Sequence, residues 1–397
     1  MPKCAIEGGV PTRGSMLPYG RHWLDEDDIE AVVGVLRSGW LTGGPNVALF
    51  EEEFARQVGA KCAVAVSNGT AALHGAMAAI GTGPGDEVIV PALTFAASAN
   101  CARFVGATVV FADVRPDSLT LDPESVEAAV TPRTRAIIAV DFAGQPCDLE
   151  ELNAIAARHG LTLIEDSSHA LGAMYRGRPV GGLARLTTFS LHPVKHITTG
   201  EGGIVTTDDA EMAARLRRFR NHGISADFRE RQATGSWTYE MLELGYNYRL
   251  TDFQCALGRS QLKKLATWIE RRKAIAARYT HAFGGVREVE VPLVLPNRSS
   301  AWHLYVVRLN LERLLVGRGE ILRALRAENI GAAVHYTPVP WHPYYQKLGY
   351  TKGGWPVSET AYQQLISLPI FPAMTDADVN DVIAAFAKVV RAHSKRD

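Results

Sequence analysis

One lysine, Lys195, stands between two short β-prone runs at residues 187–191 and 204–207. The residues around it include Pro193 and several glycines, which favour turns. A strand, a loop and a second strand are therefore predicted, with the lysine on the loop. A loop lysine is usually solvated. It gains chemical interest when the chain also holds the other partners of a carbonyl-bearing cofactor, namely a phosphate site and a carboxylate for a ring nitrogen.

Both partners occur upstream of the lysine. Residues 161–166 form an apolar run that ends in Glu165 and Asp166, as in a buried parallel strand that delivers an acid at its C-terminal edge. Residues 67–73 join another apolar run to a helical segment, where Thr70 and Ala71 can offer hydroxyl and backbone N–H groups to an anion. Pyridoxal phosphate (PLP) needs a lysine for a Schiff base, an acid for its pyridinium nitrogen and a phosphate site. The sequence provides all three.

Each of these groups also has a plainer interpretation. Lys195 can be a surface lysine, Asp166 can cap the segment that follows it, and residues 67–70 can be an ordinary helix cap. What favours the cofactor site is the combination, because an acid and an anion cradle that both follow predicted parallel strands fall at the same edge of the sheet.

Two other motifs are weaker. His192 and His196 are four residues apart, but Pro193 and the loop character oppose a shared helical face, and no third ligand has suitable spacing. No metal is therefore predicted. The glycines at residues 81–85 lack the third spacing of a dinucleotide fingerprint, so a turn is predicted there.

The elements that must position the lysine and the acid alternate between strand and helix. Strands are predicted at 62–66, 87–90, 108–111, 136–140, 161–164, 187–191 and 204–207, and helices at 71–80, 96–105, 123–129, 149–159 and 209–220. This alternation predicts an α/β fold whose mostly parallel sheet is covered on both faces.

The length of 397 residues exceeds one ordinary core. We predict an N-terminal arm (1–24), a large cofactor-binding domain (25–252) and a small α+β domain (253–397). Helices are predicted at 25–36 and 50–58 ahead of the sheet. The small domain is predicted to contain a long helix at 253–279, strands at 304–309 and 332–335, and helices at 319–328 and 375–393.

Composition excludes several functional classes. Hydrophobic residues make up 47% of the chain and the formal net charge is zero, so a packed core is expected and no basic field predicts a nucleic-acid partner. No apolar run approaches the roughly 18–20 residues of a membrane-spanning helix, and no membrane partner or signal peptide is predicted. The five scattered cysteines predict reduced thiols and a cytoplasmic protein.

Five motifs together resemble a known family. They are Ser67-Asn-Gly-Thr70, Glu165-Asp-Ser-Ser-His-Ala-Leu-Gly172, the run from Phe189 to Gly203, Phe219-Arg-Asn-His-Gly223 and Gly245-Tyr-Asn-Tyr-Arg-Leu-Thr-Asp-Phe-Gln254. The chain resembles the DegT/DnrJ/EryC1/StrS nucleotide-sugar aminotransferases from about residue 19 to its last helix. With Val334-His-Tyr-Thr-Pro338, it is most similar to the pseudaminic acid branch, whose enzymes aminate C4 of UDP-4-keto-6-deoxy-N-acetyl-altrosamine.

The resemblance implies an aspartate aminotransferase-like, PLP-dependent transferase of fold type I. It implies a ping-pong cycle in which glutamate supplies the amine and the nucleotide sugar accepts it. Lys195 would form the Schiff base and shuttle a proton, and Asp166 would keep the pyridinium nitrogen protonated. Thr70, Ala71 and Ser190 would bind the phosphate.

Further roles follow from the same resemblance. Phe95 and His169 would lie on opposite faces of the cofactor ring, and Asn247 would reach the phosphate of a neighbouring subunit's cofactor, which implies a homodimer with shared sites. Substrate contacts are implied at Arg249, His335 and Tyr336, with the loop at 39–45 beside them.

Three rival functions remain open at the level of sequence. One is amination of another UDP- or dTDP-linked keto-deoxysugar. A second is a PLP-dependent sugar dehydratase, but that related subgroup has histidine where this chain has Lys195. The third is a non-enzymatic PLP-binding homologue, which predicts the loss of Lys195 or Asp166, and both are present.

Overall fold

The computed structural model describes residues 3–226, 231 and 235–395. At its centre is a seven-stranded sheet. Its strands are β1 (Cys62–Val66), β2 (Glu87–Pro91), β3 (Thr108–Ala112), β4 (Thr134–Val140), β5 (Thr162–Asp166), β8 (Leu186–Ser190) and β9 (Gly203–Thr207). They lie in the order β1-β9-β8-β5-β4-β2-β3, and β9 runs antiparallel to both of its neighbours. The other pairings are parallel, which confirms the predicted mostly parallel sheet.

Helices cover both faces of this sheet. They are α1 (Glu26–Leu36), α2 (Pro45–Val58), α3 (Gly69–Ala79), α4 (Ala96–Phe104), α5 (Pro123–Ala129), α6 (Leu149–His159) and α7 (Ala210–Phe219). Successive side chains of a strand point to opposite faces, and β2 shows the result. Val88 and Val90 pack in the cluster that contains α3 and α4, whereas Ile89 packs in the cluster that contains α6. This two-sided burial explains why these strands read as continuous apolar runs.

The C-terminal part adds smaller layers. Its helices are α8 (Asp252–Leu262), α9 (Leu265–Phe283), α10 (Arg318–Ala327), α11 (Pro343–Lys347), α12 (Pro356–Gln364) and α13 (Asp376–His393). One three-stranded sheet contains β10 (Val289–Glu290), β12 (Tyr305–Leu309) and β13 (Leu365–Leu368), and another contains β6 (Met174–Tyr175), β7 (Arg178–Pro179) and β11 (Arg298–Ser299). No helix in the described ranges has the length and apolar content to cross a membrane.

Two predicted elements were wrong. The helix at 253–279 is two helices, α8 and α9, because the backbone tightens between them and the Lys264 N–H donates to the Gln261 carbonyl at 3.0 Å. The strand at 332–335 is reduced to an isolated bridge, in which Ala333 exchanges both backbone hydrogen bonds with Ser367. Beyond this bridge the chain leaves the sheet and carries His335 towards the site described below.

The N-terminal arm packs against the C-terminal core, where Cys4 and Leu17 are buried. The carboxylate of Glu328, which is 0% exposed, holds the arm in place. It accepts hydrogen bonds from the Ala5 amide and from the amide and hydroxyl of Thr12, each at 2.8 Å. Lys388 forms an ion pair with the same carboxylate at 2.8 Å.

Candidate active site

Asp166 is the last residue of β5 and lies at the C-terminal edge of the sheet, where it is 5% exposed. Its Oδ2 accepts a hydrogen bond from the Ser98 hydroxyl at 2.7 Å, and its Oδ1 accepts one from the Ser168 hydroxyl at 2.6 Å. Ser98 lies in the first turn of α4, and its hydroxyl is also 2.9 Å from the Thr94 hydroxyl. A buried carboxylate fixed by two hydroxyls presents its charge in one orientation.

Lys195 lies on the loop between β8 and β9, as predicted, and is half-buried. Its amide donates to the His192 carbonyl at 2.9 Å and closes a turn. Burial lowers the pKa of Lys195 from 10.5 to about 8, the Asp166 charge acts in the opposite direction, and the Arg272 charge lowers it further. The Lys195 amine therefore gives up its proton more readily than an ordinary lysine, and the neutral amine is the nucleophilic form.

The first turn of α3 and the end of β8 form a cradle for an anion. Asn68 caps the helix, with its Oδ1 2.8 Å from the Ala71 amide. The amides of Gly69 and Thr70 open the helix and have no intrahelical acceptor. Gly69 lies directly against Ser190, because a Cβ atom at Gly69 would be only 2.9 Å from the Ser190 Cβ. Thr70 and Ser190 are half-buried, so both hydroxyls can reach a ligand in this cradle.

His169 lies among buried aromatic groups. Its Nε2 is 3.1 Å from the Tyr336 hydroxyl, and its ring centroid is 4.3 Å from that of His303. Burial, with the charges of Lys195, His335 and His196, holds the pKa of His169 well below its ordinary value. Burial also raises the pKa of Tyr336, so both groups are neutral. Within the described residues, Nδ1 of His169 is buried without a hydrogen-bond partner.

Phe95 and His335 complete this group. Phe95 precedes α4, is 58% exposed, and has its ring centroid 5.7 Å from that of Tyr336. His335 Nδ1 is 2.8 Å from the Ser367 hydroxyl, and burial, assisted by the Lys195 charge, lowers the pKa of His335 to about 4. The fold therefore gathers these predicted side chains on the side of the sheet where Lys195 lies.

Asn247 and Arg249 lie on an exposed segment after residue 235, and Tyr248 between them accepts a hydrogen bond from the Ser67 amide, next to the cradle, at 2.8 Å. The Arg249 guanidinium donates to Asn221 Oδ1 at 2.6 Å, and Asn247 forms a backbone bridge with Asn221. The loop at 39–45 is tied to Asp252 at the start of α8, through the Gly44 amide at 2.6 Å. No hydrogen bond or ion pair within the described residues joins Asn247 or Arg249 to Lys195 or Asp166.

The two loop histidines do not face each other. His192 is exposed, whereas His196 is buried with its Nε2 3.1 Å from the Ala301 carbonyl. In the part of the chain that the structure describes, no group of three or more His, Cys, Asp or Glu side chains could hold a metal ion.

Sequence reasoning missed several residues of the site. Ser98 lies in the first turn of the helix that follows β2, so the rule that sites lie beyond strand C-termini could have found it. His303 and Arg272 gave no such signal. Arg272 is 1% exposed and donates to three backbone carbonyls, those of Trp302, His303 and Ile370.

The residues present fit PLP. The unpaired His169 Nδ1 offers a polar atom to a cofactor ring, the amides that open α3 offer donors to a phosphate, and Asp166 offers a fixed charge to a ring nitrogen. Lys195 offers an amine that burial has made partly neutral.

Comparison with known proteins agrees with this chemistry. The sequence profile of the DegT/DnrJ/EryC1/StrS aminotransferase family matches residues 22–387. The chain is 45% identical over 385 residues to the spore coat polysaccharide biosynthesis protein SpsC of Bacillus subtilis (strain 168), covering 96% of this chain and 99% of SpsC.

Solved structures are similar over the same extent. The putative sugar aminotransferase Spr1654 from Streptococcus pneumoniae, in its PMP form, superposes with a TM-score of 0.90 at 32% identity and covers 95% of this chain and 99% of its own. Helicobacter pylori PseC, an aminotransferase involved in the biosynthesis of pseudoaminic acid, superposes with a TM-score of 0.89 at 32% identity. The match covers 95% of this chain and 100% of the PseC chain.

Proposed function

The chain belongs to the DegT/DnrJ/EryC1/StrS aminotransferase family and is a PLP-dependent sugar aminotransferase of fold type I. On that premise, we propose that it transfers an amino group from glutamate to C4 of a nucleotide-linked 4-keto-6-deoxy sugar. One observation carries the proposal. Lys195, with a pKa of about 8, lies on the β8–β9 loop within the electrostatic reach of Asp166.

Bound PLP would supply an electron sink for the carbon that gains or loses the amine. Lys195 would hold the cofactor through its amine and, when free, would move a proton at its Nζ in each half of the cycle. Asp166 would hold a proton on the ring nitrogen, because its carboxylate is fixed by Ser98 and Ser168 and lies in a poorly hydrated site.

The remaining predicted residues bind and orient. Thr70, Ala71 and Ser190 would hold the phosphate in the cradle at the start of α3. Phe95 and His169 would contact opposite faces of the ring, and the unpaired Nδ1 of His169 would meet a polar group of the ring.

For the sugar, we propose UDP-4-keto-6-deoxy-N-acetyl-altrosamine, the substrate of pseudaminic acid biosynthesis. The support is the similarity to PseC and the motifs around Lys195 and His335. His335 and Tyr336 would contact the sugar, since they border the lysine. Arg249 and the loop at 39–45 would contact the nucleotide in a groove between the large (25–252) and small (253–397) domains, and the arm (1–24) would lie outside it.

A second sugar is favoured by a different observation. SpsC, at 45% identity, is named for spore coat polysaccharide biosynthesis, so another keto-deoxysugar used in a surface polysaccharide is the rival substrate. The cycle and the roles of Lys195 and Asp166 would be the same, because the choice of sugar depends on contacts from several loops.

We also propose a homodimer with shared sites. Apolar side chains are exposed on the segment that carries Asn247, including Trp237 at 86%, Met241 at 68% and Leu244 at 76%. A second copy of the chain would cover these side chains and would bring Asn247 to the neighbouring phosphate. The cysteines of the described residues are free thiols, in keeping with a cytoplasmic location.

The test begins with the absorbance spectrum of the PLP-loaded protein before and after addition of glutamate. We expect a visible band from the lysine-bound cofactor that is lost on addition of glutamate, and no such band in Lys195→Ala. Keto-sugars are then added, and product mass distinguishes replacement of the ketone by an amine from loss of water. Absence of the band after PLP loading, or retained turnover in Lys195→Ala, would reject the proposal.

A further inference from the structure

A second pair of carboxyl groups lies directly behind Asp166. Asp141 follows the last residue of β4, and Glu165 precedes Asp166 in β5. The two strands are neighbours in the sheet, both side chains are 0% exposed, and the two carboxyl groups are close enough to act on each other. Two ionised carboxylates in contact without water would repel each other strongly, so such a pair holds a proton.

The hydrogen bonds show which carboxyl carries the proton. Asp141 already accepts at both oxygens, from the Cys147 amide at 2.9 Å and from the Ser167 hydroxyl at 2.6 Å. Glu165 Oε2 accepts from the Thr187 hydroxyl at 3.0 Å, but its Oε1 receives no hydrogen bond from the described residues. A protonated Oε1 would instead donate to Asp141, which satisfies every oxygen of the pair.

Burial is the main reason that one carboxyl of the pair keeps its proton. It raises the pKa of both Asp141 and Glu165, and the raised value of Glu165 is supported by the neighbouring Asp141 charge. The Asp166 charge raises the pKa of Asp141 further, and the charges of Asp141 and Glu165 act in turn on the nearby Cys147 thiol. Burial also raises the pKa of the Cys147 thiol, which therefore stays neutral.

The pair is connected to Asp166 through the backbone. The Asp141 amide donates to the Asp166 carbonyl at 3.1 Å, and the Asp141 side chain holds the hydroxyl of Ser167, the next residue along the chain. Asp141 therefore fixes the position of the backbone on the carboxyl side of Asp166. Glu165 fixes the backbone on the amino side of Asp166, since the Glu165 side chain is held in place by Asp141 and Thr187.

We propose that Asp141 and Glu165 share one proton as a buried carboxyl pair and act as positioning residues for Asp166. The proposal rests on the role of Asp166 given above. The pair contacts no reacting atom. Its function is to hold the end of β5, so that the Asp166 carboxylate stays aligned with the ring nitrogen through the reaction.

The first measurement needs no cofactor. The infrared spectrum of the full-length, PLP-free protein at neutral pH should contain an unionised carboxyl band that shifts in D₂O and disappears in Glu165→Gln. Glu51→Gln is the matched control, because Glu51 is buried but ion-paired with Arg217 at 3.3 Å and should contribute no such band. A band unchanged by Glu165→Gln would overturn the shared proton.

The second measurement asks whether the pair positions Asp166. Glu165→Gln keeps a neutral donor towards Asp141 and should retain PLP affinity and kcat within about threefold. Glu165→Met removes the donor at nearly constant length and should lower kcat about tenfold, with KM for glutamate little changed, the loss expected for one buried hydrogen bond to a charged group. Asp141→Asn, which loses an acceptor for the Ser167 hydroxyl or the Cys147 amide, should behave like Glu165→Met.

The outcomes separate this proposal from the proposed function. If Glu165→Met and Asp141→Asn both fold and match wild type in kcat, the positioning role is refuted. If Glu165→Met does not fold, comparison of Glu165→Gln with Asp141→Asn decides the same question. If Asp166→Asn is itself fully active, the role of Asp166 fails, whereas the infrared result on the pair still stands.

Discussion

Replacing Lys195 with methionine should make the PLP-free protein more stable at neutral pH, although it destroys the enzyme. The structure holds an amine in a site where burial lowers its pKa from 10.5 to about 8. Keeping that amine charged in the folded protein at pH 7 is therefore unfavourable. Methionine fills a similar volume without a charge and removes this penalty.

The size of the effect follows from the pKa. A displacement from 10.5 to about 8 corresponds to at most about 3.5 kcal/mol, at about 1.4 kcal/mol per unit. Below pH 8 the lysine is charged in both the folded and the unfolded chain, so the full penalty applies. Between pH 8 and 10.5 the folded protein loses its proton first, and wild type becomes more stable with rising pH. Above pH 10.5 the advantage of Lys195→Met should be gone.

The assay is urea denaturation of PLP-free wild type and Lys195→Met at a series of pH values. Lys263→Met is the control, because Lys263 is exposed in the turn between α8 and α9 and should change the free energy of unfolding by less than about 0.5 kcal/mol. Addition of PLP should then stabilise wild type more than Lys195→Met, since only wild type attaches the cofactor covalently. A variant no more stable than wild type at pH 7 would show that the folded protein keeps the Lys195 amine charged without a penalty, and would refute the reasoning.

Four further predictions concern other residues. Asp166→Asn should still bind PLP but lower kcat about a hundredfold or more, because a preorganised charge on the ring nitrogen is lost; near-normal kinetics would reassign Asp166. Ser98→Ala should lower kcat about tenfold by freeing one oxygen of that carboxylate, and an unchanged pH–rate profile and kcat would contradict it. Asn247→Ala should lose PLP on dialysis, and mixing it with Lys195→Ala should restore retention and activity if sites are shared between subunits; no recovery would count against the dimer. Wild type should lose stability relative to Glu165→Gln as the pH rises above 4.5, the ordinary pKa of a glutamate carboxyl, because the folded protein retains a proton that the unfolded chain releases. Parallel curves of stability against pH for the two proteins would count against a protonated Glu165.

The central sheet was predictable because its signals are local. The inner parallel strands β2, β4 and β5 are buried on both faces, and β1 matches the prediction residue for residue. Fold type I and the PLP chemistry came from motifs around Lys195 and Asp166, and both are confirmed by the family and the similar structures.

The two wrong predictions, the strand at 332–335 and the helix at 253–279, lie where contacts with distant residues determine the local structure. Residues 332–335 are β-prone, but the main-chain partner is Ser367, more than thirty residues away, and only Ala333 reaches it. The turn between α8 and α9 is set by tertiary contacts, since Lys264 forms an ion pair with Asp28 of α1 at 2.9 Å.

The site was predictable in part for the same reason. Asp166 and Thr70 follow strands, so their meeting at one edge could be deduced from topology. His303 and Arg272 come from the C-terminal part and reach the site only through packing between the two parts of the chain, which periodicity does not encode. The roles of the site residues and the domain boundary at 252/253 stay predictions.

The attachment of the N-terminal arm bears on how this protein can be shortened. The Glu328 carboxylate is wholly buried and draws three of its hydrogen bonds from Ala5 and Thr12. Trimming the chain past Thr12 would leave this acid with Lys388 as its remaining described partner and would uncover the pocket that Cys4 fills. A trimmed protein should therefore be lost to proteolysis or aggregation, and a designer who needs a shorter enzyme should first replace Glu328 and Lys388 together.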